Sequence, residues 1–310
     1  MKIVIAGGSG FLGGPLAEVY AEEGHEVIVL TRSLAPGESR HDPGTGVPGI
    51  TRLGWSADGK IGPWATVVEG TDAVINLSGE AIDKGRWTPQ RKAQLRDSRI
   101  LATRSLAASI LAAALPPKAF VSGSAIGYYG NTGDAPVTES SPAGQDFLAQ
   151  LCEDWEAEAH RAESAGTRVA LVRTGVVLDR SGGALPRMML PFKFFAGGPL
   201  GSGRQYVSWI QRLDWVEMVR WIVETAEASG PINATAPAPV TNKALVRAIG
   251  HAMHRPSLLP VPPIALKLAV GGLADSLLGG QRVVPTRPLA LGYHFRYPDI
   301  DQAFRGMFGL

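Results

Sequence analysis

The stretch KIVIAGGSGFLG, residues 2–13, decides how the rest of the chain is read. Lys2–Ala6 is a short run rich in β-branched residues, the pattern of a buried strand, and a helical pattern spans Phe11–Glu23. Glycines at 7, 10 and 13 stand between and within them. Gly7 permits a tight turn, Gly10 lets the backbone approach a pyrophosphate, and Gly13 lets the helix pack close to the strand. A helix that opens there offers unpaired N–H groups and the positive end of its dipole to phosphates. A strand before and a helix after give this glycine triplet the context of a dinucleotide-binding βαβ unit. The expected contacts are Gly7, Ser9, Gly10, Phe11, Leu12 and Gly13.

The second strand, Glu26–Thr31, ends in Thr31-Arg32-Ser33, with no acid before Glu38. A carboxylate at that end would bind a ribose 2′-hydroxyl and repel a 2′-phosphate, whereas an arginine beside hydroxyls would bind the phosphate. Arg32 and Ser33 therefore point to NADP(H) rather than NAD(H). A second glycine motif, Gly54 to Lys60, spells GxxxxGK but continues with Ile61, so the magnesium-binding hydroxyl is missing. With no strand expected immediately before it and no helix after it, it reads as a loop.

Working outward, apolar runs alternate with helical patterns. Strands are expected at 73–77, 119–122 and, as one continuous run, 168–178; helices at 90–114 and 147–164. The irregular stretch 32–64 has room for a short strand near 50–53. Continuous apolar strands separated by helices predict an α/β fold, a Rossmann-like doubly wound parallel sheet. After Leu178 the rhythm changes to glycine-rich loops, a strand-like 206–210, a helix from Asp214, a last strand at 231–234 and a helix at 241–253. The expected organisation is an NADP-binding domain over 1–180, with a later strand and helix from about 206–253. A smaller, mixed substrate or tail domain covers 181–310 over the strand ends.

Composition narrows the function classes. With 30 Lys and Arg against 28 Asp and Glu, there is no basic excess for nucleic acid, and the basic run from Arg86 to Arg99 reads as a solvated helix face. One cysteine, Cys152, allows no internal disulfide and reads as a buried structural thiol; the six His lack metal-binding spacing, so no metal is expected. The apolar segment 264–280 is broken by Lys267 and Asp275 and is too polar for a membrane span. The first strand starts at Lys2, leaving no room for a signal peptide, and a cytoplasmic protein is the expectation.

Several further motifs carry a resemblance: Asp72-Ala-Val-Ile-Asn76-Leu-Ser78-Gly79-Glu80, Arg86-Trp87, Asp97-Ser98-Arg99, Ser122-Gly-Ser124, Tyr128-Tyr129-Gly130, and Gly201-Ser-Gly-Arg204 through Trp209-Ile210. With the glycine turn and the tail motifs Arg282-Val-Val-Pro285 and Gly292-Tyr-His-Phe, the chain resembles the extended, atypical short-chain dehydrogenase/reductase superfamily over nearly its whole length. It is most similar to the branch called the epimerase family, with a C-terminal tail domain. The resemblance implies NADP(H) as cofactor, a small-molecule substrate and often a homodimer. It places Leu77, Ser78 and Gly79 near the adenine-side ribose and pyrophosphate, and Ser122–Ser124 near the nicotinamide.

Members of that superfamily use a Ser with a Tyr and a Lys spaced YxxxK, where the Lys and the nicotinamide ribose lower the tyrosine pKa for proton transfer. No YxxxK occurs in this chain. Matching Glu156 to the family's glutamate puts Leu148 at the Tyr position, Cys152 at the Lys position and Arg99 at that of a family Asn. Ser124 remains as the matching serine. The arginine that grips a substrate diphosphate falls at Val207, with Arg204 three residues early. Ser124, Tyr128 and Tyr129 are then the candidate catalytic residues, with Glu80, Lys84 and Arg86 near the same cleft. Two readings follow: an NADPH-dependent reductase or epimerase-like isomerase with an unusual proton donor, or a non-catalytic NADP(H)-binding sensor or scaffold.

Overall fold

The computed structural model describes residues 1–41 and 49–310; within the irregular stretch 32–64, residues 42–48 lie outside the described residues. In chain order the elements are β1 (Lys2–Ala6), α1 (Gly13–Glu22), β2 (Glu26–Thr31), β3 (Ser39–His41), β4 (Ile50–Gly54), β5 (Ala73–Asn76), α2 (Pro89–Ala112), β6 (Ala119–Ala125), β7 (Pro136–Val137) and α3 (Phe147–His160). They continue with β8 (Arg168–Thr174), β9 (Val176–Asp179), β10 (Gly182–Gly183), α4 (Leu185–Lys193), β11 (Tyr206–Val207), β12 (Trp209–Gln211), α5 (Arg212–Glu224) and β13 (Gly230–Ala234). The last part holds β14 (Val240–Thr241), α6 (Asn242–Met253), α7 (Pro263–Val270), α8 (Leu273–Leu278), β15 (Arg282–Val283), α9 (Thr286–Ala290) and α10 (Ile300–Phe308).

The main sheet runs β13-β8-β6-β5-β1-β2-β4-β3 and is parallel except for β3, which pairs antiparallel with β4. Its strands are apolar on both faces because both faces are covered. Ile3 and Ile5 of β1 pack with Leu16, Tyr20, Trp215 and Met218 on one side. Val4 and Ala6 pack with Trp64, Leu106 and Ile110 on the other. The one-residue alternation of strand side chains thus supplies two cores. From β1 the chain moves outward to β2 on one side and later to β5 and β6 on the other, so the strand order reverses at β1. Ligands of open α/β sheets bind outside the carboxyl ends at that reversal.

Three expectations need correction. The run 168–178 is not one strand. Gly175 breaks it, where a Cβ would lie 2.6 Å from the Ser208 carbonyl oxygen, and β9 leaves the main sheet to pair with β12 and β10. The run 206–210 likewise divides at Ser208: β11 pairs with β14, and β12 with β9. Apolar content alone cannot show such a change of partner. Finally, a strand does lead into the Gly54–Lys60 loop, since β4 ends at Gly54. No α-helix follows it; a 3-10 turn begins at Pro63.

The last fifty residues are tied back into the molecule. β15 pairs with β7, α9 packs on β13, and α10 packs on α6 around Leu245, Ile249, Ile300 and Phe304. Among the described residues, no helix is long and apolar enough to cross a membrane.

Candidate functional site

At the carboxyl end of β1 the chain turns through Gly7, whose φ is +83°, a conformation that disfavours side chains. A Cβ there would lie 2.7 Å from the Leu77 main chain. Gly10 N–H donates to the Gly7 carbonyl at 3.0 Å, closing the turn. Gly13 opens α1 against the same turn: its Cβ would collide with the Gly7 carbonyl and lie 2.7 Å from Gly8 Cα. The helix has no side-chain cap and no acidic residue in its first turn; Gly14 N–H donates to the Gly10 carbonyl at 2.9 Å and Pro15 has no N–H, so Gly13 N–H is the first-turn donor left for an anion.

A cleft of about 380 Å³ opens over this turn, lined by Gly7, Ser9, Gly10, Arg32, Leu77, Ser78 and Gly79 among others. These expected contacts do come together. Asn76 sets the neighbouring turn: its Oδ1 accepts from Ser78 N–H at 3.1 Å, and its Nδ2 donates to Thr103 Oγ1 at 2.8 Å. Arg32 is 71% exposed and pairs across the cleft mouth with Glu80 at 3.6 Å, which also pairs with Arg91 at 3.6 Å. The remaining expected contacts sit elsewhere. The Phe11 side chain packs against Gly182 and Gly183 and that of Leu12 joins the core, so only their main chain is left to face the turn. The Ser33 hydroxyl is bonded to Thr31 Oγ1 at 2.8 Å. Ser122 is fully buried within β6.

Three walls of the cleft come from a loop not expected there from sequence: Trp55, Ala57 and Asp58, on the very loop that carries the GxxxxGK pattern. The loop borders the nucleotide cleft because β4 ends beside β2, not because its glycines hold phosphate. The strand ending at Gly54 was the signal available.

Ser124 and Tyr129 belong to a buried polar network at the ends of β6 and β8. Ser124 Oγ donates to Glu156 at 2.6 Å. Arg173 grips the same carboxylate from Nε at 2.9 Å and Nη2 at 2.8 Å, with both side chains under 8% exposed. Its Nη1 donates to the Tyr129 hydroxyl at 3.1 Å, and that hydroxyl donates to Asn233 Oδ1 at 2.7 Å. Burial pushes the Tyr129 phenol up to about 12. Tyr128 differs. It is half-buried, its ring lies 3.4 Å under the Arg173 guanidinium, and its hydroxyl has no partner among the described residues.

Cys152 is buried and donates to the Ala125 carbonyl at 3.6 Å; burial and then Glu156 push its thiol up to about 12, the setting of a structural rather than a nucleophilic cysteine. Leu148 lines a second cleft of about 340 Å³, walled by Trp87, Lys92, Asn131 and Phe147 and closed by tail residues such as Ser276 and Gln281. Lys84 and Arg86 stay exposed near it. The basic run along α2 also divides. Arg96 is solvated and pairs with Asp154 at 2.9 Å, whereas Arg99 turns inward on the stripe of Leu95 and Ala102.

Comparison with known proteins fits this geometry. The model of the NAD dependent epimerase/dehydratase family matches residues 3–234, and a domain of unknown function, DUF1731, matches residues 261–307. "Epimerase family protein ML0860" of Mycobacterium leprae is 40% identical over 97% of this chain and 94% of its own length. The chloroplastic SDR39U1 homolog of Arabidopsis thaliana is 39% identical, over 99% of this chain and 86% of its own. Among solved structures, human epimerase family protein SDR39U1, crystallised with NADPH, superposes with a TM-score of 0.88 at 33% identity, covering 100% of this chain and 99% of that one.

Proposed function

The chain belongs to the NAD dependent epimerase/dehydratase family, and from that premise we propose that it binds NADP(H) and reduces or isomerises a small molecule. One observation carries the cofactor reading: the Gly7–Gly13 turn and Arg32 face a single cleft. The residues fit the group. Gly7 and Gly13 leave no room for side chains against Leu77 and the turn's own main chain, Gly10 lines the cleft where a pyrophosphate would approach, the α1 N-terminus has no side-chain cap, and Arg32 stands at the adenosine end. The human relative crystallised with NADPH supports the same choice of cofactor. When bound, NADPH supplies the hydride; this chain's residues would orient it and manage the proton.

Arg32→Ala is expected to weaken NADPH binding roughly 10- to 100-fold, the loss of one charge-assisted contact of about 1.5–3 kcal/mol. NADH binding should change little. Calorimetric titration of both cofactors checks it, and equal losses for the two would remove the 2′-phosphate assignment.

For the proton, Tyr128 is the candidate among the three residues, because Ser124 and Tyr129 spend their hydroxyls on Glu156 and Asn233. Arg173 fixes the Tyr128 ring from one face. With NADPH and a panel of carbonyl, enone and sugar-nucleotide compounds, Tyr128→Phe should lower any turnover at least 100-fold, in the usual range for losing a general acid. Tyr129→Phe should instead cost about 1–3 kcal/mol of stability by stranding Arg173 and Asn233. The converse pattern would reassign the proton donor.

That same network favours a second reading. A chain whose Ser124 is bonded to Glu156, with Leu148 and Cys152 along α3, suits a cofactor-binding sensor or scaffold without chemistry. NADPH at a hundredfold excess over its dissociation constant would then stabilise the fold by about 2.7 kcal/mol, with no turnover across the panel.

A further inference from the structure

Arg99 is a half-buried cation that the reading above leaves unused. It projects from α2 into the space between the carboxyl ends of β5 and β6. Its guanidinium lies so close over Gly79 that a Cβ there would be 3.1 Å from Cζ. Trp155 holds it from another side, with Cζ 5.4 Å from the ring centre. Nη1 donates to the Leu95 carbonyl at 3.0 Å and Nη2 to the Glu80 carbonyl at 3.1 Å. Of the five N–H groups of a guanidinium, the others have no partner among the described residues. No carboxylate lies within ion-pair distance of it there; nearby Glu80 turns its carboxylate to Arg32 and Arg91.

Drawing a charge partly out of water without a counter-charge is costly, and proteins keep such groups where a ligand completes them. Desolvation by this burial lowers the pKa of Arg99, with the nearby Cys152 and Glu80 opposing it.

The topology says which part of a ligand. The cleft walls Arg32, Trp55 and Asp58 stand at the ends of β2 and β4, on one side of β1. A dinucleotide crossing the glycine turn must lay its other half over β5 and β6, on the opposite side. That is where Arg99 stands, behind Gly79 and beside Cys152, whose thiol bonds to Ala125 at the end of β6.

We propose that Arg99 is the cation of the nicotinamide end: it donates to the nicotinamide riboside and biases the site toward the reduced cofactor. The proposal rests on the NADP(H) reading of the cleft. The oxidised nicotinamide ring carries a positive charge that the reduced ring lacks. A fixed guanidinium beside it in a site of low polarity therefore disfavours NADP⁺ relative to NADPH. A site so poised stays loaded with NADPH and favours release of NADP⁺, while the same charge makes bound NADPH a weaker hydride donor than the free cofactor.

The test uses the full chain, its Arg99→Gln and Arg99→Lys variants, and calorimetric titration with NADPH, NADP⁺ and adenosine 2′,5′-bisphosphate, which lacks the nicotinamide half. The unmodified chain should bind NADPH about tenfold more tightly than NADP⁺ or better; equal affinities overturn the bias without any variant. Arg99→Gln should weaken NADPH about tenfold, erase most of the NADPH preference, and leave the bisphosphate within about twofold. Arg99→Lys, which keeps the charge, should retain part of that preference. Bisphosphate binding also reports that a variant is folded. A bisphosphate loss equal to the NADPH loss would assign Arg99 to the adenosine half or to the fold, and overturn the proposal. If Arg99→Gln binds NADPH and NADP⁺ as the unmodified chain does, this proposal fails and the cofactor reading stands. An unmodified chain that binds none of the three ligands overturns both.

Discussion

Gly13→Ala is expected to reduce NADPH affinity at least 100-fold, about 2.7 kcal/mol, and to lower the melting temperature of the free protein by several degrees. The methyl group has nowhere to go. Its carbon would meet the Gly7 carbonyl and the Gly8 Cα at 2.7 Å, both main chain, which cannot rotate away as a side chain can. Relief requires α1 to slide off the turn, and overpacking of that kind costs about 1–3 kcal/mol. The same slide separates the uncapped helix N-terminus from the glycine loop, so binding suffers more than folding. Gly14→Ala is the matched control. Its added carbon would meet only the Gly8 carbonyl at 3.9 Å, an ordinary contact. In a helix interior the change to alanine is worth roughly 0.5–1 kcal/mol in the stabilising direction. Thermal denaturation with and without NADPH separates the two effects. Equal behaviour of the two variants would mean that the turn does not set the helix position.

Arg173→Met is expected to be the most destabilising single change in the molecule outside its apolar cores, at about 3–5 kcal/mol. Glu156 would keep its place in the interior, bonded only to Ser124, with the compensating charge gone. The Tyr129 hydroxyl would lose a donor, and the Glu139 carbonyl another. Adding Glu156→Gln should restore a substantial part of the loss, because a neutral amide can still accept from Ser124 without needing a cation. Urea denaturation of both variants, without cofactor, measures this. If the double variant is no more stable than Arg173→Met, the pair is not acting through its charges.

The parts of this fold that were legible in the sequence share one physical cause. β1, β2, β5 and β6 are covered on both faces, so each is a continuous apolar run, and the glycines after β1 announce the turn. Arg32 was legible because a strand end next to that turn has few uses for a cation. Gly175 was not. The runs 169–172 before it and 176–178 after it are equally apolar, and only the approach of Ser208 reveals that the strand changes sheets. The charged network was hidden for a different reason. Glu156, Arg173 and Arg99 have the composition of a solvated surface, and burial is a property of partners brought from distant segments. Arg173 and Glu156 are 17 residues apart, while Tyr129 and Asn233 are 104 apart. Arg99 was visible only as a register on α2, four residues after Leu95 and three before Ala102, a spacing that places it on the inward stripe.

Glu139 has a consequence for how the chain is made. Its buried carboxylate accepts from the main-chain N–H of Asn233 at 3.1 Å and of Arg287 at 3.2 Å, partners 94 and 148 residues downstream. At the usual synthesis rate of about 5–20 residues per second, the second partner is added roughly 7–30 s after the glutamate. Within that interval, between the synthesis of β8 and that of β13, the nascent chain already carries its nucleotide-binding turn while β8 presents an open, apolar sheet edge that β13 will later cover. Such an edge invites pairing with other chains. Ribosome-bound protein is therefore a natural client for chaperones until β13 emerges, and a premature stop before Gly230 yields a chain that has the means to bind its cofactor but not to finish its sheet.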